Sequence, residues 1–437
     1  MTSKYKIGDT IELKTKDASY AGLVMPSTTA ETLFLRLFSG YQVGIKKKEI
    51  KSATIVAAAK KEKETVEKKK VEINPKLSTI SILHTGGTIA SKVDYKTGAV
   101  IARFTPEEIL AMFPELQQIA NIKSRLVRNM WSENMRFAHY NVLAEEIKKE
   151  IAAGVDGIII THGTDTLHYT AAALSFILEN LPVPVLLVGS QRSSDRGSTD
   201  AHLNLMNAVY FAANTDLATV AICMHNSTND DSCVILPGTK TRKMHTSRRD
   251  AFKAINASPI ALVDYHKNEI NYILKHAQKK DKTKKLELKL FNEKIKVGII
   301  YQHTNMFAEQ FKLYEKYDGL ILLSTGLGCP PIIANDEFTA ENAKIFKALQ
   351  SLMKKGIIIA FAPQTIYGRI VLTVYEPQRM VLNAGVLGNC CDMTPETSFI
   401  KLAWLLSNYN KEDVKKLYSQ NLRGELADRI TMDMDEE

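Results

Sequence analysis

Residues 158–166, IIITHGTDT, constrain this chain more than any other stretch. Three consecutive isoleucines suit a strand buried on both faces of a covered sheet. The run stops at Thr161 and gives way to a polar turn with hydroxyls and a carboxylate. Residues 167–181 (LHYTAAALSFILENL) then read as a helix. In open parallel sheets, ligands bind where such turns leave the carboxyl ends of the strands. A turn rich in reactive side chains at that position is a candidate for chemistry.

The same rhythm recurs on both sides. Residues 79–84 form a strand that runs into Thr85-Gly86-Gly87-Thr88-Ile89-Ala90-Ser91. Thr105-Pro106-Glu107-Glu108 opens a helix, with Thr at the N-cap and Pro at the first turn. A short apolar segment ends at 127–135, and a helix follows over 141–151. Residues 183–188 are a strand ending in Gly189-Ser190-Gln191-Arg192, then come a helix at 200–213 and a strand at 219–224. Such βαβα alternation specifies a mostly parallel sheet covered by helices. Residues 239–252 (TKTRKMHTSRRDAF) read as a cationic loop. A second, smaller lobe repeats the pattern: strand 295–301, helix 305–317, strand 319–324, helix 340–354, strand 356–362 and a closing helix 396–407.

The first 56 residues differ. Alternating runs at 9–14, 20–25 and 32–37 are separated by Gly, Pro and Ser, as in a curled antiparallel sheet or barrel. The expected fold class is therefore α/β, with a small all-β barrel-like module ahead of a two-lobed body. The expected boundaries are 1–56 for the module and 57–76 for a charged linker. A first α/β domain follows at 77–276, a Lys-rich linker at 277–294, a second α/β domain at 295–424 and an acidic tail at 425–437.

Charge and cysteine content narrow the function. The net charge of +9 is uneven: residues 1–76 carry +7, residues 267–296 carry +6, and the last fourteen carry −5. Basic clusters of this kind suit an acidic partner such as nucleic acid, or are plain solvated surface. Five cysteines without a CxxC pair argue against a disulfide framework or a structural zinc site. The first thirteen residues lack the apolar core of a signal peptide, and no apolar run has the ~18 residues of a membrane span. The expected setting is cytoplasmic.

The turns carry the candidate chemistry. The two glycines at 86–87 let the backbone approach a ligand closely, or simply make a tight turn. The turn carries neither a G-x-G-x-x-G nor a G-K-[ST] phosphate motif. Thr88 follows one strand, and Thr164 and Asp165 follow another, with Lys243 in the basic loop. If the strands are neighbours, hydroxyls, carboxylate and amine meet in one pocket. That set suits acyl transfer from an amide. A threonine needs a nearby base to become a nucleophile, and backbone N–H groups of a Gly-Gly turn can hold the oxyanion. His162 is read as holding the turn by a hydrogen bond, since no second metal ligand sits at a suitable spacing.

TGGTIA (85–90) and THGTDT (161–166), in that order and each behind a strand, resemble the signature motifs of the L-asparaginase/glutaminase family. WSENM (131–135), VGSQR (188–192), RKMHTSRRDAF (242–252) and DMTPE (392–396) extend the likeness over roughly 78–410. GLVMP (22–26), SGYQVGI (39–45) and DYKTGAV (94–100) make it most similar to the D-subunit branch of archaeal glutamyl-tRNA(Gln) amidotransferases. The resemblance implies an asparaginase-like body and catalytic residues Thr88, Thr164, Asp165, Lys243 and Tyr95. Thr88 is the expected nucleophile, aided by Tyr95, although the two threonines can exchange roles. It also implies that Ser132 and Glu133, with Gly87 and Gly163, bind the substrate.

The implied activity is ammonia release from glutamine, or asparagine, through a Thr acyl-enzyme. An E-type partner that uses ATP and Mg converts Glu-tRNA(Gln) to Gln-tRNA(Gln) with that ammonia. A homodimer core within a heterotetramer of two D and two E subunits is implied, with no cofactor in this chain and no membrane contact. The alternatives are a free-standing cytosolic L-asparaginase and a non-catalytic tRNA-binding or regulatory protein.

Overall fold

The structure is a computed structural model. It describes residues 5–25, 27, 29–37, 42–58, 73–87, 91–93, 100–102, 113, 115–194, 199–274 and 278–429. The helix expected at 105–108 lies outside these residues.

The N-terminal module is an antiparallel sheet of β1 (Thr10–Lys14), β2 (Ser19–Met25), β3 (Thr32–Leu37), β4 (Gln42–Lys46) and β5 (Ser52–Ala57). Its order is β4-β3-β2-β1-β5. Alternation decides the buried face: Ile11 and Leu13 of β1 point inward with Val24, Leu33, Leu35 and Ile45.

The body is built on β6 (Thr79–Gly86), β7 (Asn121–Met130), α1 (Phe137–Ala152), β8 (Gly157–Thr161), α2 (Leu167–Ile177), β9 (Val185–Val188), α3 (Ala201–Asn214), β10 (Val220–His225), β11 (Cys233–Pro237), β12 (Ala261–Asp264) and β13 (Glu269–Tyr272). Its sheet runs β13-β12-β11-β10-β9-β8-β6-β7. Strands β7, β6, β8, β9 and β10 are parallel, and β11 to β13 add an antiparallel extension. The isoleucine run behaves as a doubly covered strand must. Ile158 and Ile160 join the core with α1 and α2, whereas Ile159 faces the core with α3.

The second lobe holds a parallel sheet of β14 (Val297–Tyr301), β15 (Gly319–Ser324) and β16 (Ile358–Pro363). Around it lie α4 (Ala340–Lys354), α5 (Glu376–Ala384), α6 (Pro395–Asn408) and α7 (Lys411–Leu417). Helix α6 packs on α2, so the first lobe's core continues into the second through Ile321, Leu323 and Trp404. The Trp404 ring lies 5.4 Å from that of Phe176, and its indole N–H donates to the Lys289 carbonyl.

Several local expectations change. The cationic stretch 239–252 is not a plain loop. Its ends pair as a two-stranded ribbon, Thr241–Lys243 against Phe252–Ala254. The segment before Trp131 is a full ten-residue edge strand, β7. The helix after Thr166 stops at Ile177, because Leu178 and Glu179 turn extended and pair with Leu288 and Glu287. The helix expected at 305–317 is a 3-10 helix, Ala308–Lys316. The Lys-rich segment from 278 lies docked along the first lobe: Lys280 N–H donates to the Asp216 carbonyl, and Phe291 exchanges two backbone hydrogen bonds with the Asn141 carboxamide. Among the described residues, no helix is long and apolar enough to cross a membrane.

Candidate active site

Parallel pairing brings the two sequence turns together. In the β6–β8 register, His84 is the partner of Thr161, so both strands end on the same edge of the sheet. Side chains reinforce the alignment: His84 Nδ1 is 2.8 Å from Thr161 Oγ1, and Thr85 Oγ1 donates to the Thr161 carbonyl at 2.9 Å. All of these groups are buried.

Beyond the strands the turns touch backbone to backbone. A Cβ added at Gly87 would lie 2.5 Å from Gly163 Cα and 2.9 Å from the His162 carbonyl carbon. A Cβ at Gly163 would lie 2.8 Å from Ser132 Cβ. Gly87 also has φ +79°, which disfavours any L side chain. Gly87→Ala is therefore expected to destabilise the protein by roughly 2–4 kcal/mol and to remove activity with it. Thermal unfolding of the purified variant measures this. A wild-type melting midpoint would show that the two turns are not in contact.

His162 holds the second turn from inside. Nδ1 donates to the Gly163 carbonyl at 2.7 Å, and Nε2 accepts from Thr170 Oγ1 at 2.9 Å. Burial pushes its pKa down from 6.5 to about 4, with His168 adding to the fall. The ring is thus neutral in the native state near neutral pH, while the unfolded chain takes up a proton near pH 6.5. The stability linked to it is complete above that pH. It drains away between about pH 6.5 and about pH 4, by roughly 3 kcal/mol in all. Urea unfolding at about pH 7.5 and about pH 5 should show this loss in the wild type and less of it in His162→Asn.

Lys243 ends the first strand of the ribbon and crosses to the turn. Its Nζ donates to Thr164 Oγ1 at 2.9 Å and to Asp165 Oδ1 at 2.8 Å. The lysine side chain is 11% exposed, and that of Asp165 is 69% exposed. A cation is therefore shielded on its own side and directed at a hydroxyl whose neighbouring carboxylate opens to solvent. Ser132 is buried against Gly163, its carbonyl accepts from Thr166 Oγ1 at 2.6 Å, and Glu133 is exposed in the same 3-10 turn, Ser132–Asn134. The structure thus gathers Thr164, Asp165, Lys243, Ser132, Gly87 and Gly163. Thr88 and Tyr95 lie outside the described residues, and Thr88 is the residue after Gly87 in the chain.

Sequence reading gave no role to the 189–192 turn. Its Gln191 Oε1 is 3.5 Å from Thr164 Oγ1, and its backbone N–H groups at 191 and 192 donate to the buried Asp200 carboxylate. Gly189 lets Thr164 close on this turn, since a Cβ there would meet Thr164 Cγ2 at 2.7 Å. The available signal was the polar cluster directly behind strand β9. Among the described residues, no group of three or more His, Cys, Asp or Glu side chains is placed to hold a metal.

Comparison with known proteins places the chain among relatives. Residues 79–278 match the family described as Asparaginase, N-terminal, residues 296–418 match the Glutaminase/Asparaginase C-terminal domain, and residues 5–56 match the GatD N-terminal domain. The chain is 43% identical to the glutamyl-tRNA(Gln) amidotransferase D subunit of Methanococcus maripaludis strain C7, over 98% of this chain and 99% of that one. It is 39% identical to the corresponding D subunit of Pyrococcus abyssi, over 94% of this chain and 92% of that one. Among solved structures, the thermostable L-asparaginase of Thermococcus kodakarensis is similar at TM-score 0.69 and 27% identity, covering 80% of this chain and 99% of its own. L-asparaginase I of Vibrio cholerae is similar at TM-score 0.68 and 28% identity, with the same coverage.

Proposed function

We propose that this chain, which belongs to the asparaginase family and within it to the glutamyl-tRNA(Gln) amidotransferase D subunits, is the component that releases ammonia from a side-chain amide. The observation that carries the chemistry is the double contact from Lys243 Nζ to Thr164 Oγ1 and Asp165 Oδ1. Direct proton transfer suits heavy atoms within about 2.6–3.2 Å of each other, and both contacts fall in that range.

In this reading Thr88 attacks the amide carbon of glutamine, with Tyr95 assisting. The C–N bond breaks and ammonia leaves with the proton from the threonine hydroxyl. The acyl group stays on Thr88 as an ester. Water then attacks the ester, guided by Thr164 with Asp165 and Lys243, and returns glutamate and the free hydroxyl. Backbone N–H groups at Gly86-Gly87 face the developing oxyanion. Ser132 and Glu133 hold the α-amino and α-carboxylate groups, and the close packing of Gly87, Gly163 and Ser132 keeps both ends of the substrate site in register.

The ammonia is meant for an E-type partner, which supplies ATP and Mg and amidates Glu-tRNA(Gln). The module at 5–56 supports this assignment over a free-standing asparaginase, because the asparaginase structures account for 80% of the chain. A homodimer core, two D and two E subunits, and a cytoplasmic setting complete the proposal. So do the domain limits 1–56, 77–276 and 295–424, with the acidic tail at 425–437.

The test is ammonia release by the chain alone and with its E-type partner, with and without Glu-tRNA(Gln) and ATP. Glutamine hydrolysis that rises with partner and tRNA is the expected result. Strong asparagine hydrolysis that ignores both would make the chain a free-standing asparaginase.

A further inference from the structure

We propose that Glu396, in the second lobe, is a positioning residue that sets Lys243 against Thr164 and Asp165. This rests on the amide-hydrolysing reading above and adds a residue that touches none of the reacting groups. It also gives a role to the DMTPE motif at 392–396.

Adjacent side chains on a strand point to opposite faces. Lys243 turns toward Thr164 and Asp165, whereas Arg242 turns away and forms an ion pair with Glu396, its Nε 3.2 Å from Oε1. The same oxygen lies 3.8 Å from Nε2 of His168. His168 is the second residue of α2, the helix that begins directly after Thr164-Asp165-Thr166. One carboxylate oxygen therefore borders both elements that carry the proton relay. Its hold falls one residue from Lys243 and three residues from Asp165. Glu396 Oε2 and His168 Nδ1 make no hydrogen bond among the described residues, so the bridge depends on Oε1.

Glu396 is itself held firmly. Its side chain is 10% exposed and sits in the first turn of α6, where Thr394 accepts from the Thr397 N–H at 3.2 Å and Pro395 starts the helix. The residues around it grip the same ribbon. Asp392 pairs with Lys240 Nζ at 2.8 Å in full burial, Thr397 Oγ1 donates to the Thr239 carbonyl at 2.8 Å, and Asn256 Nδ2 donates to the Asp392 carbonyl at 3.0 Å. The ribbon with Lys243 is thus fastened to the second lobe at its Thr241–Ala254 end and again at Arg242, although its chemistry lies in the first. A displacement of about 1 Å in a relay costs up to roughly a hundredfold in rate, so the fastening has a catalytic consequence.

The experiment measures ammonia release from glutamine by the complex of the full chain with its partner. Glu396→Gln keeps shape and removes charge. It is expected to lower kcat by roughly 10–100-fold, with KM for glutamine held within about twofold. Arg242→Gln should fall in the same way, and the double variant should lose less than the product of the single losses, because the two side chains act as one unit. Unchanged kcat, a raised KM at full kcat, or losses that multiply would each overturn the inference. If Glu396→Gln unfolds at the assay temperature, the partly exposed Arg242→Gln decides alone, and full kcat there overturns it. The wild type separates the two readings. A wild-type complex that releases no ammonia from glutamine or asparagine defeats the amide-hydrolysing reading. An active wild type matched by Glu396→Gln defeats only the positioning role.

Discussion

Thr88→Val is expected to reduce ammonia release from glutamine by roughly 10⁴–10⁶-fold, the scale of loss when a nucleophile is removed from a catalytic unit. Valine keeps the β-branched shape and deletes only the hydroxyl, so the effect falls on bond formation and not on folding. The control is the melting midpoint of the complex, expected within a few degrees of wild type. A second readout assigns the step. Acid quenching of the wild type during turnover should leave a glutamyl ester on the peptide containing residues 85–90, and Thr88→Val should carry none. An ester on the peptide containing Thr164 would exchange the roles of the two threonines. Retained turnover in Thr88→Val would remove Thr88 from the mechanism.

Lys243→Ala is expected to cost roughly 10²–10⁴-fold in kcat, the range for a positioned proton-transfer group. The lysine bonds Thr164 and Asp165, so KM should change little. Stability should change little as well, because Asp165 is mostly exposed and such pairs contribute about 0–1 kcal/mol. Lys243→Arg sharpens the test. Arginine keeps the positive charge and the donors but does not give up its proton in proteins. If Lys243 moves a proton, Lys243→Arg stays near the alanine level. If it supplies charge alone, Lys243→Arg recovers most of the activity. Wild-type activity in both variants would disprove the assignment.

The parts of the fold that were legible share one property: their signal is local. The isoleucine run at 158–160, the alternation in β1 and β3, and the apolar face of α4 each show within a few residues. Elements fixed by distant partners were not legible. The ribbon strand Thr241–Lys243 is short and polar, and only its pairing with Phe252–Ala254 makes it extended. Strand β7 lies on the edge of the sheet, so its ten residues need not be apolar to pair with β6. The end of α2 follows from the capture of Leu178 and Glu179 by Glu287 and Leu288, more than a hundred residues away.

By itself, the sequence determined the residue types of the site and the turns that present them. TGGT and THGTDT specify hydroxyls, a carboxylate and small residues behind strands, and the family likeness assigned their chemistry. Tertiary structure alone decided which of these groups meet. Parallel pairing of His84 with Thr161 brings Gly87 onto Gly163, and the ribbon carries Lys243 across 79 residues of sequence to Thr164. Only the packing of α6 on α2 brings Glu396 beside Arg242 and His168. The physical reason is range. Propensity and turn chemistry act over a few residues, whereas register, close glycine contacts and buried ion pairs exist only once the chain has closed on itself.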